Sequence, residues 1–328
     1  MAENIIITKN LVKQYGEVTA VDHLNLSIRK GEVFGLLGPN GAGKTTTTLM
    51  LLGLTQPTSG RAFIDGIDCS RNPVGVKKIV GYLPDNVGFY PDMTGFENLV
   101  FTGEMNGLGR KEAKDLADSL LDRVGMTFAA DRKTSGYSRG MKQRLGIANV
   151  LMKDPEIIIM DEPTLGIDPE GMRELTGLIK TLSTKDGRTV LLSSHELYQV
   201  QQICDRVGIF VKGKLIACGA IDDLGRQLQE SGLYILSLQI DGSEDDKKIV
   251  CDRIRAIDGA NVVELTADGV IRVESSRDLR REIFAMLVMN NITLLDMHQS
   301  GGQLEEIYRK YFEKAGEEGE RADKKQNG

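Results

Sequence analysis

Residues Gly38-Pro39-Asn40-Gly41-Ala42-Gly43-Lys44-Thr45 match the phosphate-binding pattern GxxxxGK(S/T) at every fixed position. The pattern constrains the fold because it works only between a strand and the start of a helix. Both flanks fit. The run Glu32-Val33-Phe34-Gly35-Leu36-Leu37 is apolar and of strand length, and Thr46-Thr47-Thr48-Leu49-Met50-Leu51-Leu52 can continue as a helix. Glycines let successive N–H groups turn inward as an anion nest at a helix N-terminus. Lys44 then reaches the β- and γ-phosphates and the Thr45 hydroxyl ligates Mg²⁺, so a nucleoside triphosphate is the predicted ligand.

Around this unit the chain reads as alternating strands and helices. Ile5–Ile7, Val18–Val21 and Leu24–Ile28 read as strands, and a hairpin follows the loop near Arg61–Gly66. A Leu-, Ala-, Lys- and Glu-rich stretch from about Thr94 to Val124 reads as helical, as does Arg144–Lys153. Glu156–Met160 reads as a buried strand, Gly171–Leu182 as a helix and Thr189–Ser193 as a strand. Val207–Val211 and Leu215–Ala217 form a hairpin across Lys212-Gly213-Lys214. That order predicts an α/β core with parallel strands. A boundary is expected near 226. Beyond it strand, helix, strand, strand, helix, strand (Tyr234–Ile240, Asp245–Ile257, Val262–Thr266, Val270–Glu274, Arg277–Met289, Ile292–Met297) predicts a small ferredoxin-like βαββαβ sandwich. A last helix, Leu304–Lys314, carries Leu304, Ile307, Tyr308, Tyr311 and Phe312 at helical spacing, and the polar tail Glu317–Gly328 is expected to be disordered.

Net charge narrows the partners. The chain carries −6, and residues 223–328 hold 15 Lys/Arg against 21 Asp/Glu, leaving 26 of each in the rest. An acidic balance argues against a nucleic-acid partner. Cys69, Cys204, Cys218 and Cys251 are scattered, with no CxxC pair, which predicts reduced thiols in a cytosolic protein. The opening Met1-Ala2-Glu3-Asn4 lacks a signal-peptide pattern, and no stretch of eighteen apolar residues exists to span a membrane.

The second chemical element is Ile157-Ile158-Ile159-Met160-Asp161-Glu162-Pro163, an apolar strand ending in two carboxylates about 115 residues after the phosphate loop. An Asp at such a strand end holds Mg²⁺ in phosphate-loop NTPases, and Asp161 fits. Glu162 follows, where a carboxylate can polarise the attacking water.

Four further segments carry a family resemblance. Tyr137-Ser138-Arg139-Gly140-Met141-Lys142-Gln143-Arg144 resembles the signature motif of ABC-transporter ATPases, usually LSGGQ. Leu165-Gly166-Ile167-Asp168-Pro169 resembles that family's D-loop, and Ser193-Ser194-His195-Glu196 its switch histidine. Tyr15, in Lys13-Gln14-Tyr15-Gly16, matches the aromatic that stacks on adenine. The resemblance covers residues 5–220, which implies a RecA-like core, an antiparallel β subdomain and a helical subdomain.

The resemblance assigns roles. Gly38, Pro39, Asn40, Gly41, Ala42, Gly43, Lys44, Thr45 and Thr46 would hold ATP, with Thr45, Asp161 and Asp85 at Mg²⁺. Glu162 would be the base and His195 would sense the γ-phosphate. Ser138, Gly140 and Asp168 would complete the site in a second copy of the chain, so that ATP joins two subunits head to tail. Two departures stand out. Asp85 occupies the Q-loop position of a Gln; it can accept from metal-bound water but cannot donate, and Asn86 is placed to supply the missing amide. In the signature, Tyr137 replaces Leu, Arg139 the first Gly and Met141 Gln, while Ser138 and Gly140 are kept.

Together these readings divide the chain into residues 1–225 as the ATPase domain, 226–300 as an accessory domain, 301–314 as a helix and 315–328 as a tail. One ATPase unit with such an extension is similar to the ABC-2 exporter branch, whose multi-span permease is a separate chain, so a cytoplasmic position on the inner face of the membrane is implied. Leu83–Val87, Phe89-Tyr90-Pro91 and the ending Leu304–Phe312 look like the ATPase of the copper-maturation transporter serving nitrous-oxide reductase. Drug, ion and polysaccharide exporters share most of these features. Phe89 and Tyr90 would lie in the groove that receives a permease helix, or pack beneath the helical subdomain. A soluble ABC protein acting on ribosomes or DNA is the rival reading; the chain has neither a second ATPase unit nor long coiled coils.

Overall fold

The computed structural model describes residues 3–224, 234–266, 268–299 and 308. Two compact units emerge, Met1–Cys218 and Gly219–Gly328.

In the first unit, β1 (Asn4–Tyr15) and β2 (Val18–Arg29) pair antiparallel with β4 (Ser59–Ile64) and β5 (Ile67–Asp68) in the order β2-β1-β4-β5. The two short strands expected over Val18–Ile28 are one strand. It runs through His23 at φ 47°, and its pairing with β1 shifts register between Leu11 and Lys13. A bulge of this kind re-aims side chains without ending the strand.

The second sheet has the order β10-β9-β3-β8-β7-β6, using β3 (Val33–Leu37), β6 (Val80–Leu83), β7 (Ile157–Asp161), β8 (Thr189–Ser194), β9 (Arg206–Val211) and β10 (Lys214–Gly219). From β9 to β6 the neighbours run parallel. All residues of β3, β7 and β8 are buried, which is why they read as unbroken apolar runs rather than alternating ones. Phe34, Leu36 and Ile159 join Ile6, Leu24 and Met50 in one core shared with the antiparallel sheet. Burying a side chain such as Phe34 contributes about 1.5–3 kcal/mol.

Glycines set the close approaches. A Cβ on Gly35 of β3 would lie 2.8 Å from Cys204 Sγ and 2.9 Å from Val200 of α7 (Leu197–Ile203), so this helix sits directly on the strand. On the same face of the sheet, α5 (Arg139–Leu151) presses on β6. A Cβ on Gly81 would meet Val150 at 2.4 Å, and one on Gly146 would meet Leu83 at 2.5 Å. This packing brings the start of α5 beside the loop that leaves β6.

The remaining helices are α1 (Lys44–Leu51), α2 (Pro73–Ile79), α3 (Gly95–Met105), α4 (Arg110–Arg123) and α6 (Pro169–Thr184). The helix expected over Thr94–Val124 is two, because Gly107 at φ 93° ends the first and Asn106 Nδ2 donates to the Thr102 carbonyl. Thr94 and Glu97 form a capping box that starts α3. α5 begins five residues earlier than the Arg144 expected, because Ser138 Oγ caps it by accepting from Met141 N–H at 3.2 Å. Tyr137 is anchored just before: its hydroxyl donates to the Ala129 carbonyl at 2.6 Å, and a Cβ on Gly95 would collide with it at 2.3 Å.

The second unit holds β11 (Tyr234–Ile240), α8 (Glu244–Arg255), β12 (Ala260–Leu265), β13 (Ile271–Ser275), α9 (Arg280–Met289) and β14 (Leu294–Gln299). Its sheet has the order β12-β13-β11-β14, all antiparallel. Val250, Cys251 and Ile254 of α8 and Ile283 and Leu287 of α9 bury against Leu236, Leu238 and Val273. The helix expected over Leu304–Lys314 and the tail after it fall outside the described residues, Tyr308 excepted. Among the described residues no helix is long and apolar enough to cross a membrane.

Candidate nucleotide site

The phosphate loop leaves β3 and wraps the start of α1. Gly41 and Gly43 have φ of 79° and 105°, the left-handed region that side chains resist. At Gly43 the constraint is double, since a Cβ would lie 2.3 Å from the Ala20 carbonyl oxygen. Gly38 is bound from behind, where a Cβ would stand 2.5 Å from the Phe210 carbonyl oxygen. α1 has no side-chain cap at its N-terminus, so its first N–H groups are open to an anion.

A cavity of about 410 Å³ lies over this helix start, lined by Asn40 to Thr46, Asp85, Asp161, Glu162, His195, Ala20 and Leu165. Lys44 is 5% exposed; its ammonium donates to the Gly38 carbonyl at 2.6 Å and the Pro39 carbonyl at 3.2 Å, and lies 3.5 Å from Glu162 Oε1. Thr45 Oγ1 donates to Asp161 Oδ2 at 3.0 Å. The other Asp161 oxygen accepts from the Ser193 hydroxyl. Parallel pairing of β7 with β8 sets Asp161 opposite Ser193, and so also sets Glu162 beside the loop that carries His195. His195 Nδ1 lies 2.9 Å from Glu162 Oε2.

Glu162 is itself at φ 47°, with its N–H donating to the Ser193 carbonyl at 3.1 Å. A non-glycine residue held in that region stores strain of about 1–3 kcal/mol, and the β7–β8 pairing enforces it here. The carboxylate lies between a lysine and a histidine, where as a base it can accept a proton while held in one orientation. Tyr82, under the same sheet edge, is pushed up to about 12 by burial and then by the charges of Asp161 and Asp85, so it stays neutral.

Two oxygen donors stand side by side at the start of α1. Thr45 and Asp161 already touch, and a hydroxyl with one carboxylate suits Mg²⁺, which binds few protein oxygens and leaves room for phosphates.

Other expected site residues lie apart from the cavity lining. Tyr15 is half exposed at the β1–β2 turn, with the Lys13 ammonium 4.7 Å from its ring centre. Ser138 and Gly140 stand at the start of α5, and Asp168 caps α6 by accepting from Gly171 N–H. Gly38 and Pro39 act through their carbonyls on Lys44. Sequence reasoning missed Ala20, Leu165 and the bonding role of Ser193; the first two appear only in the folded cavity, the last only from the β7–β8 register. Tyr90 is 55% exposed and packs edge-on against Phe101 at 5.2 Å, whereas Phe89 is half-buried.

Comparison with known proteins gives the family. The ABC transporter family model matches residues 21–165. The bacitracin transport ATP-binding protein BcrA of Bacillus licheniformis is 37% identical over 306 residues, covering 93% of this chain and 96% of its own. The linearmycin resistance ATP-binding protein LnrL of Bacillus subtilis is 36% identical over 300 residues, covering 92% and 96%. Among solved structures, cbiO1 of Clostridium perfringens, part of the transporter complex cbiONQ, superposes with a TM-score of 0.63 at 26% identity over 70% of this chain and 95% of that one. The cassette MJ0796, a dimer bound to ADP and Pi after hydrolysis, gives 0.60 at 26% identity over 66% and 98%. The chain therefore belongs to the ATP-binding subunits of ABC transporters, ATPases whose hydrolysis is coupled to transport.

Proposed function

We propose that this chain powers an exporter of the ABC-2 type as a head-to-tail homodimer on a separate multi-span permease. The carrying observation is the cavity in which Lys44, Thr45, Asp161, Glu162 and His195 converge while the Ser138–Gly140 turn lies outside its lining. A turn that belongs to the signature yet does not line the chain's own cavity suits a second copy's γ-phosphate, with Ser138 Oγ and the N–H groups at the start of α5 as donors.

Within the site each residue has a chemical task. Tyr15 stacks on the adenine, and the loop from Gly38 to Thr46 wraps the phosphates with Lys44 as the charge. Thr45, Asp161 and Asp85 would hold Mg²⁺, which neutralises charge on the phosphates. Glu162 takes a proton from the attacking water as the bond between the γ-phosphorus and the ADP oxygen breaks, leaving ADP and phosphate. His195 fixes the Glu162 carboxylate and reports whether the γ-phosphate is present. Asp168 joins the facing subunit's site. Positioning and electrostatics carry most of such a reaction.

The second unit is read as a ferredoxin-like accessory domain that begins at residue 226 and clamps the dimer. Its strand order supports this, since four antiparallel strands with the third between the first two are what a split βαβ pair produces. Exposed Tyr90 with Phe101 supports a permease-helix groove beside α3. The net charge of −6 supports a protein partner over nucleic acid.

For cargo, two of the relatives that match along nearly the whole chain are named for bacitracin transport and linearmycin resistance, and they support export of an antibiotic of that kind. A copper-maturation role rests on the segments near Asp85 and Tyr90 and on the C-terminal ending alone. The test is to express the chain with the permease encoded beside it in a sensitive host and measure bacitracin and linearmycin tolerance. Tolerance should rise and vanish with Lys44→Ala. Unchanged tolerance, together with loss of nitrous-oxide reductase copper loading when the chain is deleted, would refute antibiotic export.

A further inference from the structure

The two departures from the family pattern touch each other. Arg139 Nη2 lies 2.5 Å from Asp85 Oδ1, although the residues are 54 positions apart. Asp85 lines the nucleotide cavity, and it also lines a neighbouring cavity of about 330 Å³ with Asn86, Arg139, Lys142 and Gln143. Its backbone is held from the same helix, because buried Gln143 donates Nε2–H to the Asp85 carbonyl at 3.2 Å. On its other side Arg139 abuts the D-loop: a Cβ on Gly166, at φ 70°, would meet Arg139 Cδ at 3.1 Å.

Helix stability does not account for Arg139. It is the first residue of α5, Lys142 follows in the same turn, and the turn holds no acid, so both cations oppose the positive end of the helix dipole. Asp85 supplies the missing negative charge from another element. The pair is 44% and 48% exposed, so its worth as a surface ion pair is small. Its value lies in what it joins: a carboxylate at the edge of the chain's own ATP cavity and the turn offered to the second subunit.

We propose that Arg139 is a positioning residue that, through Asp85, sets the Ser138–Gly140 turn according to the occupancy of the chain's own nucleotide cavity. Loading that cavity places the phosphates beside Asp85, and the Asp85–Arg139 pair carries the shift to the start of α5 and to the D-loop at Gly166. The inference rests on the dimeric reading above.

The test is a double-mutant cycle in the full-length Glu162→Gln chain. Arg139→Ala, Asp85→Asn, the two together and Arg139→Lys are each examined for two quantities. One is binding of a fluorescent ATP analogue to dilute monomer; the other is the dimer dissociation constant at saturating MgATP by sedimentation. Arg139→Ala should leave monomer affinity within about twofold and weaken pairing about fivefold, close to 1 kcal/mol. Arg139→Lys should recover most of that loss. In the Asp85→Asn background, Arg139→Ala should cost nothing further. Additive losses, or equal losses in both quantities, overturn the inference while leaving the dimer intact. A Glu162→Gln parent that never pairs on ATP overturns the dimeric reading and this inference with it.

Discussion

The phosphate-loop face and the signature face both end at a helix N-terminus, yet they are built in opposite ways. At α1 the loop is fixed from within: left-handed glycines, the Ala20 and Phe210 carbonyls against Gly43 and Gly38, and a buried Lys44 already paired with Glu162. At α5 the turn lies on the surface, capped by Ser138 and tied by the half-exposed Asp85–Arg139 pair. A pre-formed cradle can bind nucleotide in a single chain. A surface turn tied by a half-exposed ion pair can be moved, and on the proposed reading its work is done against another subunit.

Damage to the two faces should therefore separate binding from pairing. Gly43→Ala places a methyl 2.3 Å from a backbone oxygen and should abolish nucleotide binding, as read by titration with a fluorescent ATP analogue. Retained binding would mean that the loop is not as fixed as its contacts imply. Lys44→Ala should weaken the same binding by about tenfold or more, the scale of losing charge-assisted hydrogen bonds. Ser138→Ala should act on the other face, cutting ATPase turnover more steeply at low protein concentration than at high, because pairing is what it weakens. A turnover loss independent of concentration would place Ser138 in the chain's own site instead.

Smaller effects sharpen the contrast. Truncation after Gly225 should weaken ATP-dependent pairing and spare nucleotide binding; unchanged sedimentation would refute the clamp. Gly41→Ala makes the mildest case. Nothing stands within 4 Å of its Cβ, so only the left-handed backbone resists, at about 1–2 kcal/mol, and thermal denaturation should fall by a few degrees.

Much of the ATPase unit was legible because its chemistry is local in sequence. Gly38 to Thr45, Asp161-Glu162 and Ser193 to His195 each sit at a strand end, and unbroken apolar runs marked the parallel sheet. What the sequence could not supply was register and long-range contact. The bond from Ser193 to Asp161 depends on the alignment of β7 with β8, and the pairing of Arg139 with Asp85 depends on glycines 81 and 146 letting α5 settle on β6. The start of α5 was missed for a related reason: Arg139, Gly140 and Lys142 are poor openers for a helix by charge and propensity, and the cap from Ser138 decides the matter. In the second unit the order of elements was legible, while residues 225–233 and, Tyr308 excepted, those after Gln299 lie outside the described residues.

On the proposed reading, Glu162 removes the water proton in a cavity completed by a second copy. The direct measurement is sedimentation of the Glu162→Gln chain with MgATP, with nucleotide release followed in parallel. The expected result is a stable dimer holding two unhydrolysed ATP molecules, where the parent chain passes through it and falls apart as ADP forms. A Glu162→Gln chain that stays monomeric with ATP bound, or hydrolyses ATP at the parent rate, would contradict it.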